Sequence, residues 1–217
     1  MMADENQMEY DESGAEQPVQ GAGEQPQAAS DAGSELPVKE GAVFGVGAFL
    51  LSYLTSLAVV IGTFALGGVD ADDMAASWEF AAWGLLSGLG ATFEVDGEVA
   101  SLVSAGGGFG NVAIVFILVP LVVLLAAGYS MAKYTDATDA GEAAKAGALV
   151  VPGWLVLAVI FSVVAEYETD AEVTMGVATG DAVLYAGVLI PALFAIAGGL
   201  LYSWPDPVEK AMEKIDG

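Results

Sequence analysis

Four stretches of about twenty residues carry no Asp, Glu, Lys or Arg: Ala42 to Leu66, Val112 to Met131, Ala146 to Ala165 and Ala182 to Tyr202. At about 1.5 Å per helical residue, each is long enough to cross a hydrocarbon core of about 30 Å. Buried helices of a soluble core usually show a polar face or run shorter, and these do neither. The sequence therefore predicts an all-α membrane protein built on a four-helix transmembrane bundle, with spans at about 42–66, 112–131, 146–165 and 182–202. Composition agrees, because 55% hydrophobic residues beside 29 acids and five lysines require the two classes to be segregated along the chain.

Outside the 41–204 membrane domain, residues 1–40 hold ten of the 29 acids and little that is large and apolar. That composition predicts a disordered acidic tail. It lacks the basic start and apolar run of a secretory signal, so no cleavage is expected. Residues 205–217 form a second, short tail.

Positive charge near span ends stays preferentially on the cytoplasmic side, whereas acids matter little. Lys39 precedes the first span, Lys133 and Lys145 flank the link between the second and third, and Lys210 and Lys214 follow the fourth; the loops 67–110 and 166–180 contain no basic residue. Both termini are then expected in the cytoplasm and both loops outside.

Within the first loop, Met74 to Val95 carries Trp78, Phe80, Trp83, Leu85, Leu86, Leu89 and Phe93. Glu79 and Glu94 bracket too short a run for a fifth span, which would also place Lys133 and Lys145 outside. The expectation is an interfacial helix at about 74–90, with Gly84 and Gly88 permitting close packing; a re-entrant element is the alternative. Asp96-Gly97, flanked by alternating apolar and acidic residues, signals a small β-hairpin. Tyr167 to Val173 alternates similarly and reads either as a strand or as a charged loop.

In the first span Gly45, Ala48, Ser52, Thr55, Ser56, Gly62 and Thr63 share about a third of the helix circumference. Small residues and hydroxyls are what membrane helices pack through, so this stripe is expected to face the bundle. The functional alternative is that Ser52, Tyr53, Thr55 and Ser56 line a solute path. Pro120, Pro152 and Pro191 interrupt the other spans and predict kinks, and Gly187, Pro191 and Gly198 are expected to share one packing face.

Chemistry is constrained mainly by absence. With no His and no Cys, imidazole and thiolate metal sites, His-dependent triads and disulfides are excluded. Asp70, Asp72 and Asp73 resemble the start of a calcium loop, but the register of later ligands fails. The run Gly106-Gly107-Gly108-Phe109-Gly110 lacks the Lys of a phosphate cradle and reads as a flexible entry to the second span. No catalytic, cofactor-binding or metal-binding residues are assigned. Spans free of ionisable groups disfavour a proton-driven transporter, while leaving room for a Na⁺ site of carbonyls and hydroxyls or a passive channel. A net charge of −24 excludes nucleic acid as a partner. The same charge is tolerable where salt above 1 M shortens the Debye length to about 3 Å, which points to a halophilic archaeon.

Trp78-Glu79-Phe80-Ala81-Ala82-Trp83-Gly84, Val119-Pro120-Leu121 leading to Ala126-Ala127-Gly128-Tyr129, and Ile190-Pro191-Ala192 leading to Ala197-Gly198-Gly199 together resemble an uncharacterised family of small haloarchaeal multipass membrane proteins. The resemblance covers about Gly41 to Trp204 and implies a bundle and a source, but no functional residues. The role expected is non-enzymatic: a structural, assembly or envelope-interaction component, in contact with the lipid bilayer and with copies of itself or other membrane proteins. A small oligomeric permease or channel is the alternative.

Overall fold

The computed structural model describes residues 37–67, 77–101, 112–168 and 172–204. The tail before residue 37, the Asp70, Asp72, Asp73 cluster, the glycine run 106–110, Lys210 and Lys214 lie outside the described residues. Helix α1 covers Val38–Gly67, α2 Ser77–Gly88, α3 Ala113–Tyr134, α4 Ala140–Ala148, α5 Val151–Val164 and α6 Ile190–Tyr202. A single turn at Thr179–Asp181 and a π-helical segment at Ala182–Leu189 lead into α6. Among the described residues four helical units are long and apolar enough to cross a membrane: α1, α3, the joined α4 and α5 over Ala140–Val164, and Thr179–Tyr202.

The third span starts earlier than its hydropathy suggests. Asp139 Oδ1 accepts from the backbone N–H groups of Gly141 and Glu142, at 2.7 and 2.9 Å, and the Glu142 carboxylate accepts in return from the Thr138 N–H and hydroxyl. These bonds satisfy amides that a first helical turn leaves free, and they place Lys145 inside α4 instead of in a loop. Pro152 has no N–H to continue that helix. The chain tightens instead, with Leu149 and Val150 donating to Ala146 and Gly147 oxygens at 3.1 and 3.2 Å, and α5 restarts with Pro152 in its first turn.

The other two prolines behave differently. Pro120 lies within an unbroken α3. Ahead of Pro191 the helix widens to i→i+5 bonding, and the Ile190 N–H donates to Tyr185 O. The Ala186 carbonyl would next take the N–H of residue 191, which proline lacks. The fully buried Trp154 fills that vacancy, its indole N–H donating to Ala186 O at 2.8 Å.

Helices touch through backbone. A Cβ on Gly128 would stand 1.9 Å from Ala195 O and one on Gly198 2.0 Å from Leu125 O, which fixes α3 against α6. Likewise a Cβ on Gly45 would stand 2.0 Å from Val150 O and one on Gly153 1.9 Å from Ala42 O, fixing α1 against the start of α5. Such approach is the small-residue packing available where lipid supplies no hydrophobic drive between helices. Gly187 instead approaches Leu155 of α5, so Gly187 and Gly198, both buried, serve two different partners.

At one end of the bundle the two basic-free loops join in a single antiparallel sheet. Strands β1 (Phe93–Val95), β2 (Glu98–Ala100), β3 (Tyr167–Glu168) and β4 (Thr174–Val177) lie in the order β2-β1-β4-β3. Asp96 and Gly97, at φ 51° and 75°, form the hairpin turn their sequence signals. The Asp96 carboxylate also accepts from the Thr174 N–H at 2.9 Å, tying that turn to the second loop. The opposite end carries Lys39, Lys133 and Lys145, and there Phe44 meets Tyr134 and Tyr129 meets Tyr202.

Candidate functional site

Helix α2 is short, 12 residues, and most of it is covered: Ala81, Ala82, Trp83, Leu85 and Leu86 are at most 1% exposed. Gly84 and Gly88 let it press on Phe116 of α3, which a Cβ at either position would obstruct. Its Trp83 N–H donates at 2.7 Å to Ala165 O, a carbonyl freed at the end of α5. A tilted and edge-on aromatic row, Phe64–Phe80–Trp83–Phe93, continues from α1 through α2 into β1. The segment at 74–90 is a helix over Ser77–Gly88 and forms a buried plug against the sheet. Its burial comes from α1, which precedes it, and from α3, α5 and β4, which lie much further along the chain.

The plug carries one ionisable group that sequence reasoning missed. Glu79 is only 7% exposed, and its Oε2 is buried without a hydrogen-bond partner among the described residues. Burial pushes its carboxyl up from the ordinary value of 4.5, because the charged form loses water; the backbone N–H of its own helical turn partly opposes this. The facing ionisable group from α1 is Tyr53, whose hydroxyl reaches the neighbouring Trp78 carbonyl at 3.4 Å. Glu79 lies outside the four spans, so a search of span composition passes over it.

The stripe on α1 is divided by its surroundings. Gly45, Ala48, Ser52 and Ser56 are buried against the bundle, whereas Thr55, Gly62 and Thr63 are half-buried. Every hydroxyl in it donates to the carbonyl four residues earlier: Ser52 to Ala48, Thr55 to Leu51, Ser56 to Ser52 and Thr63 to Val59, at 2.8 to 3.0 Å. The stripe therefore offers a solute few free donors. Tyr53 is buried too, edge-on to Phe161.

Beneath the sheet a cavity of about 270 Å³ is lined by Glu94, Glu166, Thr174, Thr179 and the buried Ser162. Ser162 donates to Val159 O at 2.9 Å, and its hydroxyl is thus committed locally. Among the described residues no group of three or more carboxylates is placed to hold a metal ion. Among these residues the Thr92 and Thr138 hydroxyls donate to the Asp181 and Glu142 carboxylates, and the arrangement otherwise offers packing, backbone hydrogen bonding and one buried carboxyl.

No curated protein and no solved structure matches the chain. The chain belongs to the family of unknown function (DUF7978), which matches residues 21–206.

Proposed function

We propose that this chain is a non-enzymatic, non-conducting multipass membrane component that presents its acidic sheet to another component of the envelope. Close backbone contact between the helices supports this reading most directly: carbonyls sit where a Cβ would stand at Gly45, Gly128, Gly153 and Gly198, leaving no room for a solute between those pairs. In the proposed orientation the lysine-bearing end is cytoplasmic, so both termini are inside and the sheet is outside. A halophilic habitat explains how a chain of net charge −24 stays compact.

The protein contains no Cys, so single Cys residues can be scanned along α1 with a water-soluble maleimide. Labelling confined to the ends of α1 is expected; a labelled stripe from Ser52 to Thr63 sinks the proposal in favour of a permease. That second reading has one observation on its side, the buried Glu79, whose Oε2 has no hydrogen-bond partner among the described residues. Proton uptake by vesicles containing the protein, abolished by Glu79→Gln, would establish it.

A further inference from the structure

On the outer surface of the bundle, α1 and α3 leave an apolar groove of about 380 Å³ between them, within the range of about 300–1,000 Å³ that small-molecule sites occupy. One wall is a ladder at four-residue spacing, Val43, Gly47 and Leu51; the other is Val122, Ala126 and Ser130. Residues four apart lie above one another on a helix. Extending the first ladder one step reaches Lys39, and extending the second by three residues reaches Lys133. Both lysines are exposed, and neither forms an ion pair with a described carboxylate; Glu40 lies one residue off the ladder, on a neighbouring face.

A slot that is apolar along a membrane helix and cationic at its mouth matches a molecule with an acyl or isoprenoid chain and an anionic head. We infer that this groove binds a membrane lipid with an acidic headgroup, its chain between Gly47 and Ala126 and its phosphate between Lys39 and Lys133. The inference rests on the reading that α1 and α3 span a membrane, and goes beyond the function proposed above. Charge complementarity favours this place, where two of the five lysines lie in line with the walls of an apolar groove. With a net charge of −24 the protein as a whole repels acidic lipids, so a preference for them must arise at a local cationic site.

The test is native mass spectrometry of the full chain in detergent, given equal amounts of phosphatidylglycerol and phosphatidylcholine with identical chains. Retention of phosphatidylglycerol should exceed that of phosphatidylcholine by about fivefold per lysine, roughly 25-fold in all. K39Q/K133Q should erase that preference while leaving phosphatidylcholine adducts unchanged. A Cβ on Gly47 meets nothing within 4 Å, so Gly47→Leu has open space at its root, narrows the groove and should lower retention of both lipids by roughly tenfold; far-UV circular dichroism checks that it folds.

Equal retention of the two lipids by the wild type overturns the inference, as does a preference that survives K39Q/K133Q. If Gly47→Leu removes a dimer peak and spares the lipid adducts, the groove holds a second copy and the inference is likewise wrong. Alkaline extraction of vesicles separates its failure from that of the spanning reading: a wild-type chain washed off the bilayer refutes the spans, whereas one that stays inserted without lipid preference refutes only the lipid site.

Discussion

Replacing Trp154 by Phe isolates the repair that Trp154 makes at the π-helical segment. The substitution removes the donor to Ala186 O, whose helical partner position is occupied by Pro191. A buried acceptor left unpaired costs about 1–3 kcal/mol in water-soluble proteins, while hydrogen bonds between membrane helices average about 0.6 kcal/mol with a maximum near 1.7. With Trp154 fully buried, the hydrogen-bond part belongs near 1–1.5 kcal/mol. Loss of indole volume adds to this, and its size depends on how far the site collapses.

Pro191→Ala separates the two contributions. Alanine restores an N–H at position 191, and the Ala186 carbonyl then has a backbone donor in either helical register, so losing the indole should matter less. Unfolding of all four proteins in mixed micelles, followed by far-UV circular dichroism because Trp fluorescence changes with the mutation, yields the coupling energy. We expect Trp154→Phe to be about 1 kcal/mol less costly in the Pro191→Ala background. An equal cost in both backgrounds, within about 0.3 kcal/mol, would refute the assignment of Trp154 as the donor that replaces the missing amide.

Gly128→Ala places a Cβ 1.9 Å from Ala195 O and should separate α3 from α6, lowering stability by roughly 2 kcal/mol or more, whereas Gly62→Ala, in open space, should raise it by up to ~1 kcal/mol; thermal unfolding in detergent reads both. Glu79, with its carboxyl raised by burial, favours the fold while protonated. Its contribution is complete below the ordinary value of 4.5 and is lost as pH rises through the folded value, so the difference in melting temperature between Glu79→Gln and wild type should grow across that window; a difference independent of pH contradicts this. Gly97→Ala, at φ 75°, should cost about 1 kcal/mol and loosen the hairpin, read as faster amide exchange in β1 and β2. Moving Lys133 and Lys145 into the loops 67–110 and 166–180 should disturb insertion, measured by protease protection of the termini.

What the sequence made legible was whatever is local or is set by the solvent. Four uncharged stretches suffice to locate four long helices, because lipid leaves a spanning segment few other conformations. Asp96-Gly97 announces its turn because few residues tolerate positive φ in succession. The start of α4 was also readable, in Thr138-Asp139 followed by Glu142, but Glu142 and Lys145 hid it from a hydropathy reading. By contrast, a uniformly apolar segment has no periodicity to reveal a change from α to π winding at Ala182–Leu189. The burial of α2 and the pairing of β1 with β4 depend on residues far away in sequence, and Glu79 became a buried acid only through that assembly.

The sheet also sets an order of assembly during synthesis. Trp83 finds its acceptor, Ala165, 82 residues later in the chain, and β4, the second partner of β1, follows that. At a translation rate of about 5–20 residues per second, α2 emerges roughly 4 to 16 s before its cover exists. During that interval a segment rich in Trp and Leu has α1 beside it but neither α5 nor β4. Its twelve residues are too few to span alone, so this end of the protein closes only once β4 has been made, and a chain truncated before β4 should leave that segment open to protease.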